Sequence, residues 1–260
     1  NQSMNRINQL FERKKERILS IYYSAGFPAL DNTLDIAIWL EKAGSDMIEI
    51  GIPFSDPIAD GPTIQESNKV ALDRGMTLQL LFDQIKDLRE HVSVPVILMG
   101  YVNPVLQYGV DKFCRSCKAS GVDGLILPDL PMSEYLSEYK DQFDEYGLKN
   151  IFLITPQTSD ARIRQVDEHS NSFIYMVSTS STTGAKDSFG DEQADYFDKV
   201  RSLNLVNPTL VGFGISNKTT FNQACVHSNG AIIGSAFIKC IGSSSHLESD
   251  IHQFVKSIKE

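Results

Sequence analysis

Short apolar runs alternate along this chain with longer stretches in which apolar residues recur at helical spacing. The runs are brief, continuous and rich in Ile, Val, Leu and aromatic residues, which is typical of strands covered on both faces. Eight runs can be recognised, at residues 18–23, 47–52, 95–100, 124–127, 151–154, 173–177, 209–213 and 231–234. Helical spacing is clearest at residues 33–43, 77–91, 132–146 and 192–203, and in a last stretch, 247–258, after the eighth run.

This alternation of strands and helices predicts parallel β–α units. Eight such units in 260 residues fit an α/β protein of the (β/α)8 or TIM-barrel type, which typically takes about 250 residues. The rival architecture is an open doubly wound sheet, which usually has a G-x-G-x-x-G turn after its first strand. Because no such turn follows residues 18–23, we expect one barrel domain over residues 1–260, with a short helical extension at its N-terminus.

The composition is that of a folded protein with an acidic surface. Apolar residues make up 42% and charged residues 22% of the chain, with a mean hydropathy of -0.17. These values exclude a disordered chain or a fibrous repeat. The formal net charge of -9 argues against binding to a nucleic-acid backbone or to an anionic membrane. It is still compatible with a small anion pocket built from backbone N–H groups.

Neither a disulfide framework nor a metal site is predicted. The four cysteines are too few for a disulfide framework, and the pair Cys114 and Cys117 lies inside a helical-looking run. The five histidines fall in helical or linking segments, which predicts no metal triad. Residues 1–18 are too polar for a signal peptide, and the apolar stretch 94–99 is far too short for a membrane span. We therefore expect reduced thiols in a cytoplasmic protein.

Carboxylates mark the second predicted strand and the loop after it. Side chains alternate along a strand, so Glu49 points away from the isoleucines that flank it and into the barrel mouth. Active sites of this fold lie at that end of the barrel. The loop at 53–63 contains three prolines and two acids, Asp56 and Asp60. Glu49 alone could be a structural glutamate and either aspartate a turn former, but together they could converge for acid–base chemistry.

Glycines follow the seventh and eighth predicted strands. Gly212-Phe213-Gly214 ends the seventh, and Gly234-Ser235 ends the eighth just before a helical turn. In barrels of this type, glycines at these two strands that lead into a helix N-terminus hold a phosphate. Each motif alone is explained equally well by a tight turn. Their combination predicts a phosphate pocket.

One long string of the sequence is similar to the signature of a known family. Residues 40–62, which read LEKAGSDMIEIGIPFSDPIADGP, resemble the signature of the tryptophan synthase α subunit. The resemblance extends over nearly the whole chain, and its other matching segments are AGFP at 25–28, MGYVNP at 99–104, LPDLP at 127–131, TG at 183–184 and GFGI at 212–215.

The resemblance implies a TIM-barrel lyase of tryptophan biosynthesis. Such a lyase splits indole-3-glycerol phosphate into indole and glyceraldehyde 3-phosphate by a retro-aldol reaction. The resemblance implies no cofactor or metal in this chain. It also implies a partner, the tryptophan synthase β subunit, which would hold pyridoxal phosphate and form an α2β2 complex with this chain.

The resemblance also implies a role for individual residues. The catalytic pair would be Glu49 and Asp60. The phosphate would be bound by Gly184, Gly214, Gly234 and Ser235. The indole pocket would be lined by Tyr22, Ile64, Gly100, Leu127 and Tyr175. Thr183 would belong to a lid, in a hydroxyl-rich segment that follows the sixth predicted strand, and the loop at 53–60, with Pro53 and Asp56, would contact the partner.

Three positions depart from the family pattern. Many members have Gly-Asp-Pro after the first strand, where this chain has Gly26-Phe27-Pro28. Residues 179–182 are all hydroxyl residues, whereas Arg and Gly are frequent there. Tyr22 has a hydroxyl that the aromatic residue of several members lacks. These departures concern lid closure and pocket detail rather than the reaction.

The implied cleavage has three chemical requirements. An acid must protonate C3 of the indole, a base must take the proton of the adjacent hydroxyl, and a carboxylate must stabilise the ring N–H. Burial should raise the pKa of Glu49 toward neutrality and suit it to moving the proton. We expect Asp60, on a wetter loop, to stay ionised near the ring nitrogen.

Three alternatives remain open from the sequence. Another phosphosugar barrel, such as an isomerase, could use the same pocket but would lack the Pro-rich acidic loop. A non-catalytic phosphate-binding barrel could instead activate a partner subunit through that loop. A stand-alone lyase would release free indole.

Overall fold

The computed structural model of this chain describes residues 4–178 and 190–260. Within these residues, nine parallel strands form one sheet in the order β5-β4-β3-β2-β1-β9-β8-β7-β6. The strands are β1 (Ile18–Ser24), β2 (Met47–Gly51), β3 (Val96–Met99), β4 (Gly124–Ile126), β5 (Lys149–Ile151), β6 (Leu153–Ile154), β7 (Ile174–Val177), β8 (Thr209–Gly212) and β9 (Gly230–Ile233).

The sheet closes on itself through a divided fifth strand. Strand β5 pairs with β4 and β6 pairs with β7, and only Phe152 separates the two short strands. The Phe152 carbonyl accepts a hydrogen bond from the N–H of Tyr175 at 2.9 Å, which continues the contact across the break. The predicted (β/α)8 barrel is therefore confirmed, with its fifth strand beginning at Lys149, earlier than predicted.

Helices occupy the segments between the strands. They are α1 (Arg6–Arg13), α2 (Thr33–Ala43), α3 (Pro62–Asp73), α4 (Leu78–Ile85), α5 (Leu88–His91), α6 (Val102–Tyr108), α7 (Val110–Ser120), α8 (Met132–Glu134), α9 (Lys140–Glu145), α10 (Asp160–His169), α11 (Asp191–Ser202), α12 (Lys218–His227), α13 (Ser235–Gly242) and α14 (Leu247–Lys259). A π-helical segment, Tyr135–Tyr139, joins α8 to α9. The predicted helices at 77–91 and 132–146 are thus each divided. None of the helices in the described ranges is long and apolar enough to cross a membrane.

Helix α1, the predicted N-terminal extension, lies against the amino-terminal end of the barrel. Its Ile7 is fully buried and would contact a Cβ placed on Gly124, the first residue of β4. The Phe11 ring lies 5.7 Å from that of Phe173, just before β7. Because this end is covered, the carboxyl ends of the strands form the open mouth of the barrel.

The strands are buried on both faces, as their continuous apolar runs predict. Every residue of β1, β2, β3, β4, β7, β8 and β9 is buried. Residues on the inward face of β1 and β2 include Ser20, Tyr22 and Glu49, and Tyr22 is in register with Glu49. Polar groups are therefore concentrated inside the barrel on two neighbouring strands.

Candidate active site

A cavity of about 570 Å³, including its mouth, opens at the carboxyl ends of the strands. The cavity is lined by Tyr22, Glu49, Asp60, Ile64, Met99, Tyr175, Phe213, Gly214, Ile215, Ile232, Gly234, Ser235 and Ala236. Eight of the predicted site residues are thus brought together here, two acids among them, and the described lining contains no Lys, Arg or His.

Glu49 is fully buried in the interior of the barrel. The Ser20 hydroxyl donates to its Oε2 at 2.8 Å, and its Oε1 has no hydrogen-bond partner among the described residues. Burial raises the pKa of Glu49 to about 7, against the opposing effect of the Ser20 hydrogen bond. The side chain is therefore present in both protonation states near neutral pH, as a proton-transferring group should be.

Asp60 lies on the same cavity but is less exposed than the sequence suggests. The Tyr101 hydroxyl donates to its Oδ2 at 3.0 Å, and only 5% of the residue is exposed. Burial raises its pKa to about 6, again against the effect of this hydrogen bond. The loop is wetter than β2, since Asp56 and Ile58 are exposed, but Asp60 itself is buried because its end of the loop folds inward and Phe54 stacks on the Tyr101 ring with centroids 5.2 Å apart. Asp60 is still mostly ionised at neutral pH.

Two tyrosines cross the cavity where two glycines make room for them. A Cβ on Gly51 would lie 2.0 Å from the Tyr22 hydroxyl, and one on Gly212 would lie 2.2 Å from that of Tyr175. Burial raises the pKa of both phenols, and the Asp60 carboxylate adds to this effect. Both hydroxyls are therefore neutral at physiological pH and available as hydrogen-bond donors.

The start of α3 places an apolar wall beside these tyrosines. Gly61 precedes the helix and Pro62 is its first residue, a position that favours proline because no helical hydrogen bond is lost there. This start places Ile64 over the cavity, where a Cβ on Gly234 would lie 3.4 Å from Ile64 and 3.5 Å from the ring of Tyr22. The wall offers a flat apolar ligand a surface next to the two carboxylates.

The opposite corner of the cavity is suited to an anion. Phe213 and Gly214 both have left-handed backbones, with φ of 63° and 73°, which turns the chain sharply after β8. Gly234 leads into α13 and has no side chain to cap the first N–H groups of that helix. The neighbouring helix α12 is different, because Asn217 caps it with a capping box. The first N–H groups and the dipole of α13 favour a phosphate here.

Several predicted site residues do not line this cavity. Gly100 packs against Ile52, and a Cβ placed on Gly100 would lie 3.1 Å from the Ile52 side chain. Leu127 lines a separate apolar cavity with residues of α6 and α9. Thr183 and Gly184 lie outside the described residues.

The predicted partner-contact loop lies on the outer side of the cavity. Pro53 is buried, whereas Asp56 is exposed and Ile58 has 74% of its surface exposed. The Ala59 N–H donates to the Tyr101 hydroxyl at 3.1 Å, and that hydroxyl donates to Asp60. The exposed surface of the loop is therefore two hydrogen bonds away from a cavity carboxylate.

Sequence reasoning did not assign some residues that hold or line the site. Ser20 and Tyr101 bind the two carboxylates, and the unassigned lining residues are Met99, Phe213, Ile215, Ile232 and Ala236. A hydroxyl at position 20 within an apolar buried strand, on the face of Tyr22, was a signal that could have identified Ser20. The Met99–Tyr101 segment ends the third strand, where barrel sites are built.

Among the described residues, no group of three or more His, Cys, Asp or Glu is placed to hold a metal ion. Cys114 and Cys117 are both buried and free. Burial raises the pKa of the Cys114 thiol to about 12, which makes it a poor thiolate former. Neither cysteine lines the cavity described above.

Known proteins resemble this chain over almost all of its length. A family model described as tryptophan synthase alpha chain matches residues 8–260. The tryptophan synthase alpha chain of Flavobacterium johnsoniae is 58% identical over 256 residues, covering 98% of this chain and 100% of the relative. That of Parabacteroides distasonis is 50% identical, covering 99% and 100% respectively. The structure of tryptophan synthase subunit alpha from Legionella pneumophila superposes with a TM-score of 0.88 at 31% identity, covering 98% of this chain and 97% of that chain.

Proposed function

Because this chain belongs to the tryptophan synthase alpha chain family and is thus a lyase that cleaves indole-3-glycerol phosphate, we propose that Glu49 and Asp60 perform the acid–base chemistry of that cleavage. The observation that supports these roles is their shared environment. Two buried carboxylates line one cavity. Each accepts a hydrogen bond from one hydroxyl, and each has one oxygen without a partner among the described residues.

The first step is protonation of the indole ring. Glu49 in its protonated form donates to C3, which makes the ring a cationic indolenine and therefore a good leaving group. Because the pKa of Glu49 is raised to about 7, a substantial fraction of the molecules is in this form at neutral pH. Asp60, with a pKa of about 6, is mostly ionised there and stabilises the N–H of the cationic ring.

The second step breaks the carbon–carbon bond. The Glu49 carboxylate, now ionised, takes the proton of the substrate hydroxyl adjacent to the ring. The bond between that carbon and C3 breaks, its electron pair returns to the ring, and the hydroxyl carbon becomes the aldehyde of glyceraldehyde 3-phosphate. The proton that Glu49 gave to C3 in the first step is thus replaced by the proton of the substrate hydroxyl. The side chain therefore finishes protonated, as it started.

The phosphate end of the substrate fixes the position of the reacting bond. We assign it to the corner formed by Gly214, Gly234 and Ser235, where α13 begins. The indole ring then lies against Tyr22, Ile64 and Tyr175. Binding energy at the phosphate orients the ring between the two carboxylates, and this positioning lowers the activation free energy of the cleavage.

The partner is the tryptophan synthase β subunit. We propose that the loop at 53–60 contacts it, with Asp56 and Ile58 exposed on the outer side. The proposed steps use only groups of this chain, and pyridoxal phosphate would be needed only in the partner. The cytoplasmic location expected from the sequence stays a prediction.

The test is indole release from indole-3-glycerol phosphate by the purified chain, with and without a tryptophan synthase β subunit. We expect release that rises when the β subunit is added, because Ala59 of the contact loop donates a hydrogen bond to the Tyr101 hydroxyl, which in turn donates to Asp60. Release that is already rapid and does not respond to the β subunit would indicate a stand-alone lyase. No release under either condition would overturn the roles of both carboxylates and favour a phosphate-binding barrel that acts on a partner.

A further inference from the structure

Ser20 places a hydroxyl inside the barrel against the proposed proton-transferring group. It lies in the middle of β1, on the same face as Tyr22, and is fully buried. Its neighbours along the strand, Leu19 and Ile21, are apolar and also fully buried. A buried hydroxyl needs a hydrogen-bond partner, and Ser20 has it in Oε2 of Glu49 at 2.8 Å.

This hydrogen bond makes the two oxygens of Glu49 unequal. Oε2 accepts from Ser20, whereas Oε1 is buried without a partner among the described residues. In a protonated carboxyl group the carbonyl oxygen is the better acceptor, and the hydroxyl oxygen is the donor. An O–H group that donates to Oε2 therefore favours the form in which the proton is on Oε1.

We propose that Ser20 is a positioning residue for the cleavage: its hydroxyl holds Oε2 of Glu49 and so keeps the transferable proton on Oε1, the oxygen left for the substrate. This inference rests on the proposed role of Glu49. Without Ser20, the proton is shared between the two oxygens and the side chain loses its anchor. A fraction of the molecules then presents the wrong oxygen to C3 of the indole.

Other groups around Glu49 do not replace this hydroxyl. The titratable groups that face it are Tyr22 on β1, Tyr175 on β7, Asp60 in the loop after β2 and, bonded to Asp60, Tyr101. Strands β3 and β9 present the uncharged Met99 and Ile232 to the cavity. Because the described lining contains no cation, Ser20 is the group that opposes the effect of burial on the pKa of Glu49. Loss of the hydroxyl should therefore raise that pKa further.

The experiment is the pH dependence of kcat/KM for indole release by wild type, Ser20→Ala and Ser20→Thr. The rate should fall at alkaline pH as Glu49 loses its proton. In Ser20→Ala this limb should move to higher pH by about one unit, with kcat at the optimum reduced about tenfold. KM should change less than about twofold, because the phosphate corner is untouched. Ionisation of the substrate phosphate is common to all variants, so differences between them report on the protein.

Ser20→Thr and one added variant, Ser45→Ala, separate a positioning role from a structural one. Ser20→Thr keeps the hydroxyl and should return the limb to its wild-type position. Ser45→Ala is the matched control, since Ser45 is also buried and its hydroxyl donates to a backbone carbonyl, that of Met47, at 2.8 Å, with no hydrogen bond to a carboxylate among the described residues. Its profile should superimpose on that of wild type. If the alkaline limb of Ser20→Thr coincides with that of Ser20→Ala, the inference is overturned.

Glu49→Gln, measured in parallel, distinguishes failure of this inference from failure of the proposed function. If Glu49→Gln is inactive and the Ser20→Ala profile superimposes on wild type, Ser20 has no positioning role but Glu49 keeps its own. If Glu49→Gln retains activity, the role of Glu49 is wrong and the inference about Ser20 is overturned with it.

Discussion

The Tyr101 hydroxyl donates to Oδ2 of Asp60 at 3.0 Å, from a strand end that is 41 residues away in sequence. The same hydroxyl accepts from the N–H of Ala59 at 3.1 Å, so it fixes both the carboxylate and the loop that presents it. Ser20 and Glu49 form a similar pair on β1 and β2. Each carboxylate is thus held at one oxygen by a hydroxyl from another part of the barrel, and its other oxygen has no hydrogen-bond partner among the described residues.

Tyr101→Phe should move the acid limb of the pH profile. Asp60 must be ionised to stabilise the cationic ring, so kcat/KM should rise with pH through the Asp60 pKa of about 6 and fall through the Glu49 pKa of about 7. The Tyr101 hydrogen bond lowers the Asp60 pKa, so its loss should shift the rising limb to higher pH by about one unit.

Tyr108→Phe provides the control for this shift. The Tyr108 hydroxyl donates to Gln79 at 3.2 Å on the surface and contacts neither carboxylate. Its profile should match wild type. A Tyr101→Phe profile with an unmoved rising limb, or with a moved falling limb, would contradict the assignment of Asp60 to the acid side.

The inward direction of Glu49 could be predicted from sequence, because strand alternation fixes which residues of β2 share a face. Alternation also places Ser20 on an inward face, but its pairing with Glu49 could not be predicted, because Ser20 is 29 residues away and the contact depends on the register of β1 against β2. The burial of Asp60 also depends on tertiary structure, since Phe54 and Tyr101 meet only after the loop folds inward. The same holds for Phe152, which interrupts the fifth strand at a point where the apolar run continues unbroken.

Glu49→Gln should nearly abolish turnover while substrate binding is retained. The amide has the shape of the acid and can still accept from Ser20, but it can neither donate a proton to C3 nor take one from the hydroxyl. We expect kcat to fall by about 10³ or more, with a dissociation constant for the substrate within about threefold of wild type. Single-turnover indole release and equilibrium binding of the substrate are the measurements.

Asp60→Asn is the companion variant, and it should reduce kcat by about 10- to 100-fold. The loss is smaller because Asp60 stabilises charge but does not transfer the proton in the proposed steps. Substantial turnover by Glu49→Gln would contradict its role as the proton-transferring group. Wild-type turnover by Asp60→Asn would return Asp60 to the role of a turn residue.

Asp123→Ala should lower stability without changing catalysis. Asp123 is 3% exposed at the amino-terminal end of β4, where it pairs with Arg89 at 2.7 Å and Arg6 at 3.0 Å. Its removal leaves the largely buried Arg89 without that counter-ion, which costs about 3–5 kcal/mol. For a chain of this size the midpoint of thermal unfolding should fall by about 10 °C, whereas kcat well below that temperature should stay within about twofold.

The control for this variant is Asp160→Ala. Asp160 pairs with Lys199 at 3.1 Å but its side chain is 61% exposed, and an exposed pair of this kind contributes less than about 1 kcal/mol. Its unfolding midpoint should therefore lie close to that of wild type. Equal midpoints for the two variants would show that the Asp123 pairs do not stabilise the closed end of the barrel.

Ile58→Ala should weaken the response to the β subunit and leave the isolated chain almost unchanged. Ile58 is 74% exposed on the loop at 53–60, which is the loop proposed to contact the partner. Loss of its burial in a complex should raise the concentration of β subunit needed for half-maximal stimulation by about tenfold. Val206→Ala is the control, because Val206 is 90% exposed but precedes β8 at the covered end of the barrel. If both variants respond to the β subunit as wild type does, Ile58 is not part of the contact.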